Sequence, residues 1–467
     1  MSGRIINGRL DSRLGPLDYT GGYPSEDTSR KLYDELDFQH ACQAYVWGVP
    51  AVGMQVLRKV MRENFNTPDG AMCTFLNFRD KIGMLTPNIT TAYGFSFWNM
   101  AEQGPLVVEV PALPSAGALL DIWQRPDTDF GQTGPDGGKG GNYLILPPGA
   151  SAPAGADGYY VFNSPTNQLW IASRGLDPDP AMAQAALAAH KIYSWDDRAA
   201  PPALVVNTVG GVPWDSTQPA DLSYFTALHD ILSPEPPEER DRFFHAMLRP
   251  LGLIPGQPFA PDDRQRRSLT EGALVGHAMT QNLTYANRFP EARLWPDRNW
   301  DRLMIVTPDQ RADGYDQLDE RGGLFYEIIG NSKGMQGMTV GVGQVYLNAH
   351  RDADEEYLDG GVNYILTVPA NVPVAQFWSI TLYDTISRGP IVTDAERADL
   401  SSRQPITVNA DGAVDVYIGP DSPGADKAAN WIPTAPGRGW FAYFRFYGPL
   451  EPYFDRSWKL PNIRKAR

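Results

Sequence analysis

Hydrophobic positions change their period several times along this chain, and each change predicts a change of architecture. From Ser25 onward Leu32, Leu36, Phe38, Cys42, Tyr45 and Val46 recur at roughly helical spacing, with Glu26 and Asp27 in the first turn. Gly48 and Pro50 interrupt that stripe, so the pattern predicts a second, short helical stretch around Val56 to Met61. Short apolar runs then take over. LVVEVP, ALLDIWQ, NYLILPP, YYVFNSP and QLWIASRG, separated by Gly, Pro and Asn, read as strands. Between 178 and 293 the helical period returns in AMAQAALAAHKIY, DLSYFTALHDIL, PEERDRFFHAMLRPLGL and RQRRSLTEGALVGHAMTQNLTYANRF. Strands resume after residue 320 with GQVYLNAH, NYILTVP, QFWSITLYD, PITVNA, VDVYIG and GWFAYFRFYG.

The two strand regions resemble each other weakly. Val110-Pro111-Ala112 is answered by Val368-Pro369-Ala370, and Trp123 and Trp378 are expected in the strands that follow. Short strands cannot bury their faces alone, so a repeated set of hairpins predicts paired sheets. The expected fold is mainly β with α insertions: two tandem jelly-roll or β-sandwich domains and a helical segment. The boundaries are an irregular arm over 1–24, an N-terminal domain with leading helices over 25–177, the helical segment over 178–320, and a C-terminal domain over 321–467.

Longer strings carry a family likeness. YDELDFQHACQAYVWGVPAV, TPNITTAYGFSFW, GPLVVEVPA and GQTGPDGGKGGNYLILPPG resemble the bacterial family catalogued as domain of unknown function 1254. LDGGVNYILTVPANVPVAQFWSITLYD and NWIPTAPGRGWFAYFRFYGPLEPYFDRSWKLPNI resemble its usual companion, domain of unknown function 1214. The resemblance implies tandem β-jelly-roll domains with helical insertions, and homo-oligomers. It implies no activity. Many relatives carry an export signal, and many have Asp where this chain has Thr90.

Charge and composition remove several function classes. A net charge of −15 with no visible basic patch argues against nucleic acid as a partner. No apolar run reaches the ~18 residues of a membrane span. The N-terminal MSGRIINGRLDSRLGPLDY lacks an apolar core, so a cytoplasmic location is expected. Cys42 and Cys73 are too few for a disulfide framework and are expected to be buried. The glycine-rich GQTGPDGGKGG invites comparison with a phosphate loop. Thr133 stands where the leading glycine belongs, Gly140 where the metal-binding hydroxyl belongs, and a strand follows instead of a helix. The loop is expected to join two strands, either covering a pocket mouth or exposing an Asp136–Lys139 pair.

Chemistry must then come from dispersed residues. His40, His190, His229, His245, His277 and His350 show no metal-ligand spacing, and no cofactor is expected, although a divalent metal at scattered ligands stays open. Asp352, Asp354 and Glu356 match the start of a calcium loop, but Tyr357 replaces its glycine, so a solvated hairpin tip is the reading. No G-x-S-x-G elbow is present. Alternation in QFWSITLYD puts Trp378, Ile380, Leu382 and Asp384 on one face and Phe377, Ser379, Thr381 and Tyr383 on the other. In GWFAYFRFYG, Trp440, Ala442, Phe444 and Phe446 oppose Phe441, Tyr443, Arg445 and Tyr447. A face of aromatics with few charges fits a ligand-lined lumen, or equally a packing face between domains or subunits. The leading expectation is an enzyme, by hydrolysis, acting on a small, partly hydrophobic or aromatic molecule. Tyr383 or Asp384 would move the proton, Arg388 or Arg445 would hold a carboxylate or oxyanion, and Asn88, Tyr93, Trp123, Trp378 and Tyr443 would bind substrate. The alternative is a non-catalytic module that binds a small molecule or carbohydrate, or an assembly protein.

Overall fold

The computed structural model describes residues 7–337 and 339–466. At the start, Gly8–Ser12, Gly15–Thr20 and Tyr23–Pro24 form a three-stranded antiparallel sheet where an irregular arm was expected. Gly15, Gly21 and Gly22 adopt positive φ and fold the segment back on itself, which the arm reading overlooked. Residues 1–6 of the expected arm lie outside the described residues.

A single helix, Glu26–Asn64, follows in place of two. Ser25 caps it as its sequence suggests, accepting from the Thr28 amide. Pro50 does not break it, although it has no N–H to give Val46 O, and the carbonyls on either side of Val46 take donors from outside the helix. The Tyr224 hydroxyl donates to Tyr45 O at 2.6 Å, and Arg321 Nη2 donates to Trp47 O at 2.9 Å.

Two paired-sheet units flank this helical layer. In the N-terminal half, a six-stranded sheet runs Val206–Thr208, Met72–Phe75, Ala92–Asn99, Gln168–Gly175, Ser115–Leu120, Pro126–Gly131. It packs on a four-stranded sheet of Tyr160–Asn163, Gly141–Leu146, Leu106–Val110 and Lys191–Ser194 through Val108, Leu119, Ile145 and Ile171. In the C-terminal half, a five-stranded sheet runs Asp301–Arg302, Gln344–Ala349, Trp440–Pro449, Val374–Asp384, Asp399–Ser401. It packs on Trp431–Pro433, Val414–Gly419, Tyr364–Val368 and Arg464–Lys465 through Leu347, Leu366, Ile380 and Val416.

Strand for strand, the connectivity of the two halves is the same. The strands from Ala92–Asn99 to Lys191–Ser194 pair with one another as those from Gln344–Ala349 to Arg464–Lys465 do, with one parallel pair in each small sheet. The suspected repeat is therefore present in the topology. Trp378 lies in its expected strand, but Trp123 falls in the loop beyond Ser115–Leu120, and PITVNA (405–410) forms no strand.

The architecture is mixed, many β-sheets with helical parts, and the segment between the halves is less uniformly helical than its periodicity suggests. Lys191–Ser194 and Val206–Thr208 leave it to join the N-terminal sheets. A helix at Leu318–Glu327 crosses residue 320, where strands were expected to resume. There Gly322 and Gly323 allow close approach: a Cβ on Gly322 would lie 2.9 Å from Val46 Cγ1. The same device joins helix Asp263–Tyr285 to the long helix, since Cβ atoms on Gly272 and Gly276 would lie 2.3 Å from Ala41 Cβ and 2.5 Å from Tyr45 Cβ.

Two outcomes follow for this helical layer. Gly276→Val should lower the unfolding free energy by about 1–3 kcal/mol, the usual cost of overpacking, read as a drop in denaturation midpoint. His277, one residue on, hydrogen-bonds the Tyr45 hydroxyl through Nδ1 at 2.9 Å. That hydroxyl donates to Pro219 O, so Nδ1 carries the proton. Burial, with Arg388 adding repulsion, lowers the imidazole pKa to about 4. Between about pH 6.5 and about 4 the unfolded chain then binds more protons than the native one, so stability is full above this window and declines as pH falls through it. His277→Gln should shallow that slope; an unchanged slope in pH-dependent denaturation would count against the assignment.

Candidate functional site

The alternation in the C-terminal strands builds an internal seam. Ser379 pairs with Arg445, Thr381 with Tyr443 and Tyr383 with Phe441, while Tyr346 of the neighbouring strand also stands opposite Arg445. Trp378, Ile380, Leu382, Ala442, Phe444 and Phe446 fill the core of the C-terminal sheet pair. The opposite, polar-aromatic face is neither solvent-exposed nor free. Tyr346, Tyr383, Phe441 and Tyr443 share one core with Tyr93, Phe95 and Trp170 of the N-terminal half and with the long helix. Of the readings the alternation allowed, packing between the two halves is the one realised.

Several expected site residues do meet at this seam. Arg445 is 3 % exposed, donates from Nη2 to Thr86 O at 2.8 Å and from Nη1 to Thr381 Oγ1 at 3.1 Å, and leaves Nε without a partner. The Tyr383 hydroxyl donates to Pro87 O at 2.6 Å, and burial pushes its phenol pKa up although Arg445 pulls the other way. Asn88 donates from Nδ2 to Ser379 Oγ, accepts the Thr91 amide, and gives its own amide to the Tyr93 hydroxyl at 2.8 Å. The Tyr443 hydroxyl donates to Glu327 Oε2. These contacts pin the Thr86-Pro87-Asn88 segment between the halves. Thr86 itself sits at φ 40°, a strained value for a β-branched residue.

At one end of the seam the packing opens into a cavity of about 720 Å³, its mouth included. Arg174 borders it. The guanidinium lies 5.1 Å from the centroid of Tyr93, its cross-strand partner, and donates from Nη1 to Gln344 Oε1 at 2.6 Å. Protein surrounds it, and what exposure it keeps is toward the cavity. Among the described residues, neither Arg174 nor Arg445 forms an ion pair. Around the same space, the Tyr447 hydroxyl and the Trp170 indole N–H are buried without hydrogen-bond partners, as is the hydroxyl of nearby Tyr346. Phe95, Ala118, Leu120, Ile329 and Met335 form apolar walls, and among the described residues no carboxylate lines the cavity.

The other expected site residues stand apart. Trp123 packs on Trp47 with centroids 4.6 Å apart, away from the cavity. Trp378 stacks on Phe444 inside the C-terminal sheet pair. Asp384 caps the turn after its strand, accepting the amides of Ile386 and Ser387 at 2.9 Å. Burial opposes the charge of Asp384, but Arg438 and those two amides outweigh it and hold the carboxyl below its ordinary value. Arg388 lies 4.2 Å over the Tyr326 ring and donates to Gln218, in a separate buried cluster. The supposed surface pair in the glycine loop is absent too. Asp136 is buried and accepts from the amides of Gly131 and Gly140 and from Tyr143, so it organises the loop, while Gln132 and Thr133 border the cavity mouth.

Asp352 is buried rather than solvated; it accepts the Asp354 and Glu356 amides and pairs with Lys465. Among the described residues, no three His, Cys, Asp or Glu side chains converge on a point where a metal would sit. Sequence reasoning missed Arg174 as a cavity group. A signal existed: in QLWIASRG the arginine alternates in phase with Trp170 and Ala172, a charge on an otherwise apolar face.

Comparisons with known proteins give relatives without an assigned activity. No curated protein matches this chain. The VPA0106 protein of Vibrio parahaemolyticus has a similar fold, with a TM-score of 0.58 at 18 % identity over 92 % of this chain and 100 % of its own. An uncharacterized Burkholderia cenocepacia protein matches with a TM-score of 0.42 at 14 % identity, over 94 % of this chain and 96 % of its own. Two family models match, "Protein of unknown function (DUF1254)" over residues 73–194 and "Protein of unknown function (DUF1214)" over 343–451. Each match covers most of one half of the topological repeat, and the chain carries a DUF1254 region followed by a DUF1214 region, in that order.

Proposed function

We propose that this protein binds a small organic anion, a carboxylate on a partly apolar or aromatic body, in the cavity beside Arg174. The observation that carries the reading is, among the described residues, a guanidinium without an acidic partner facing a cavity that has no carboxylate in its walls. Burying such a charge is costly unless something neutralises it, and the guanidinium fork matches a carboxylate with two parallel hydrogen bonds. The apolar walls suit a hydrocarbon or aromatic body. A neutral carbohydrate would leave the charge uncompensated.

The seam itself favours binding over hydrolysis, because the Tyr383 hydroxyl and the Arg445 guanidinium are both occupied by backbone carbonyls. Nor does that face support an assembly role, since the two halves of one chain bury it between them. The jelly-roll-like description of each half belongs to the same proposal; its support is the pair of sheets closed over one apolar core in each.

Isothermal titration with benzoate and with benzamide tests the reading. Benzoate should bind and benzamide should not, and Arg174→Met should weaken benzoate by about 10- to 100-fold, the worth of a charge-assisted hydrogen bond. Equal affinity for the two compounds, or unchanged affinity in a folded Arg174→Met protein, would overturn it.

A further inference from the structure

The strand Trp440–Pro449 runs along the seam from Tyr447, at the Arg174 cavity, to Phe441, six positions and about 20 Å away. A second cavity opens near that far end, about 910 Å³ with its mouth, bordered by Gln281, Asn282, Tyr285, His350, Thr385 and Trp440. His350 belongs to the strand region after Gln344–Ala349, and its ring packs 5.1 Å from Tyr285 and 5.4 Å from Phe441. Its Nε2 lies 2.8 Å from Oε1 of Glu327, a side chain only 1 % exposed. The second oxygen of Glu327 accepts from the Tyr443 hydroxyl.

Each of these contacts constrains the imidazole. With Tyr443 donating to one carboxylate oxygen, the other is left to accept, so Nε2 carries the proton toward Glu327. The lone pair is then on Nδ1, which has no hydrogen-bond partner among the described residues. A buried carboxylate behind a histidine fixes its tautomer and stabilises the imidazolium formed when the free nitrogen takes a proton. Gln281, Asn282, Thr385 and Trp440 border the same cavity, so the imidazole faces a polar-lined space in which a substrate carbonyl could sit.

We propose that His350 is the general base of this second pocket, with Glu327 and Tyr443 as its positioning residues, acting on a water or hydroxyl beside a carbonyl substrate. In the hydrolytic form, Nδ1 takes a proton from water as the water oxygen bonds to the acyl carbon of an ester. The ester C–O bond then breaks, the alcohol oxygen leaves, and the imidazolium returns its proton to the leaving group or to solvent. This site stands independently of the anion cavity at Arg174. The ionisable groups that face His350 are Glu327 from helix Leu318–Glu327, Tyr285 from helix Asp263–Tyr285, and Tyr357 at the cavity edge, with Arg388 and Asp384 beyond Tyr285.

The test is hydrolysis of p-nitrophenyl acetate by the full chain from about pH 5.5 to about pH 8.5, compared with folded His350→Gln, Glu327→Gln and Tyr443→Phe proteins. The wild type should exceed buffer, with a rate that rises with pH. His350→Gln should lose at least about tenfold of that rate. Glu327→Gln should move the midpoint of the profile down by about one pH unit, a shift that a merely structural carboxylate would not produce. If Glu327→Gln does not fold, Tyr443→Phe serves in its place: with a hydroxyl donor gone from Glu327, the carboxylate holds the imidazolium more strongly and the midpoint moves up. The proposal falls if the wild type does not exceed buffer, if folded His350→Gln keeps the wild-type profile, or if neither positioning variant shifts the midpoint.

Discussion

The whole arrangement depends on burying a guanidinium, that of Arg445, between the two halves without a carboxylate to neutralise it. The strand face that carries it must therefore be covered by groups that accept hydrogen bonds or offer π faces. Thr86 O and Thr381 Oγ1 supply the first, and the rings of Tyr346, Tyr383 and Tyr443, with centroids 5.3 to 5.6 Å from the guanidinium carbon, supply the second. This requirement accounts for the position of the Thr86-Pro87-Asn88 segment. It is held between the two halves by Arg445, Tyr383 and Ser379, and it brings Tyr93 with it.

The repeated topology gives that interaction a counterpart. In the N-terminal half Tyr93 stands across from Arg174; in the equivalent strands of the C-terminal half, Tyr346 stands across from Arg445. Each arginine lies over its partner ring, at 5.1 and 5.4 Å. The copies have diverged in what else they touch. Protein groups enclose Arg445, whereas Arg174 keeps a side open to the cavity. Neither copy has a carboxylate partner among the described residues; one is enclosed by acceptors and rings and serves cohesion between the halves, and the other borders a cavity. That difference is the physical basis for assigning an anion to the N-terminal member.

The helical layer makes this geometry rigid. Gly272, Gly276 and Gly322 bring three helices to backbone contact, and the donors that satisfy the carbonyls around Pro50 come from two of the neighbouring helices. Helix Leu318–Glu327 then delivers Glu327 to the seam, where Tyr443 and His350 meet it. Both cavities thus lie at ends of one packed surface, and the same strand, Trp440–Pro449, forms part of each.

Much of this was legible in the residues themselves, because it depends on local periodicity. The strand faces of QFWSITLYD and GWFAYFRFYG, the Ser25 cap, the helices Leu222–Leu232 and Asp263–Tyr285, and the repeat were all readable. Whether the polar-aromatic face met solvent, ligand or protein was not, since alternation sorts residues to faces without saying what covers them. Nor was the continuity of the long helix through Pro50, where the carbonyls beside Val46 take donors from Tyr224 and Arg321, 179 and 274 residues away. The helix at Leu318–Glu327 crosses the residue where strands were expected to resume, with two other helices pressing against Gly322-Gly323. Arg174, His350 and Glu327 carry no local motif, and their chemistry arises only where strands and helices distant in the chain converge. Sequence by itself determined the elements and their apolar faces. Tertiary structure alone decided which buried charge was enclosed by acceptors and rings and which was left facing a cavity, because the groups that surround a buried charge are long-range ones.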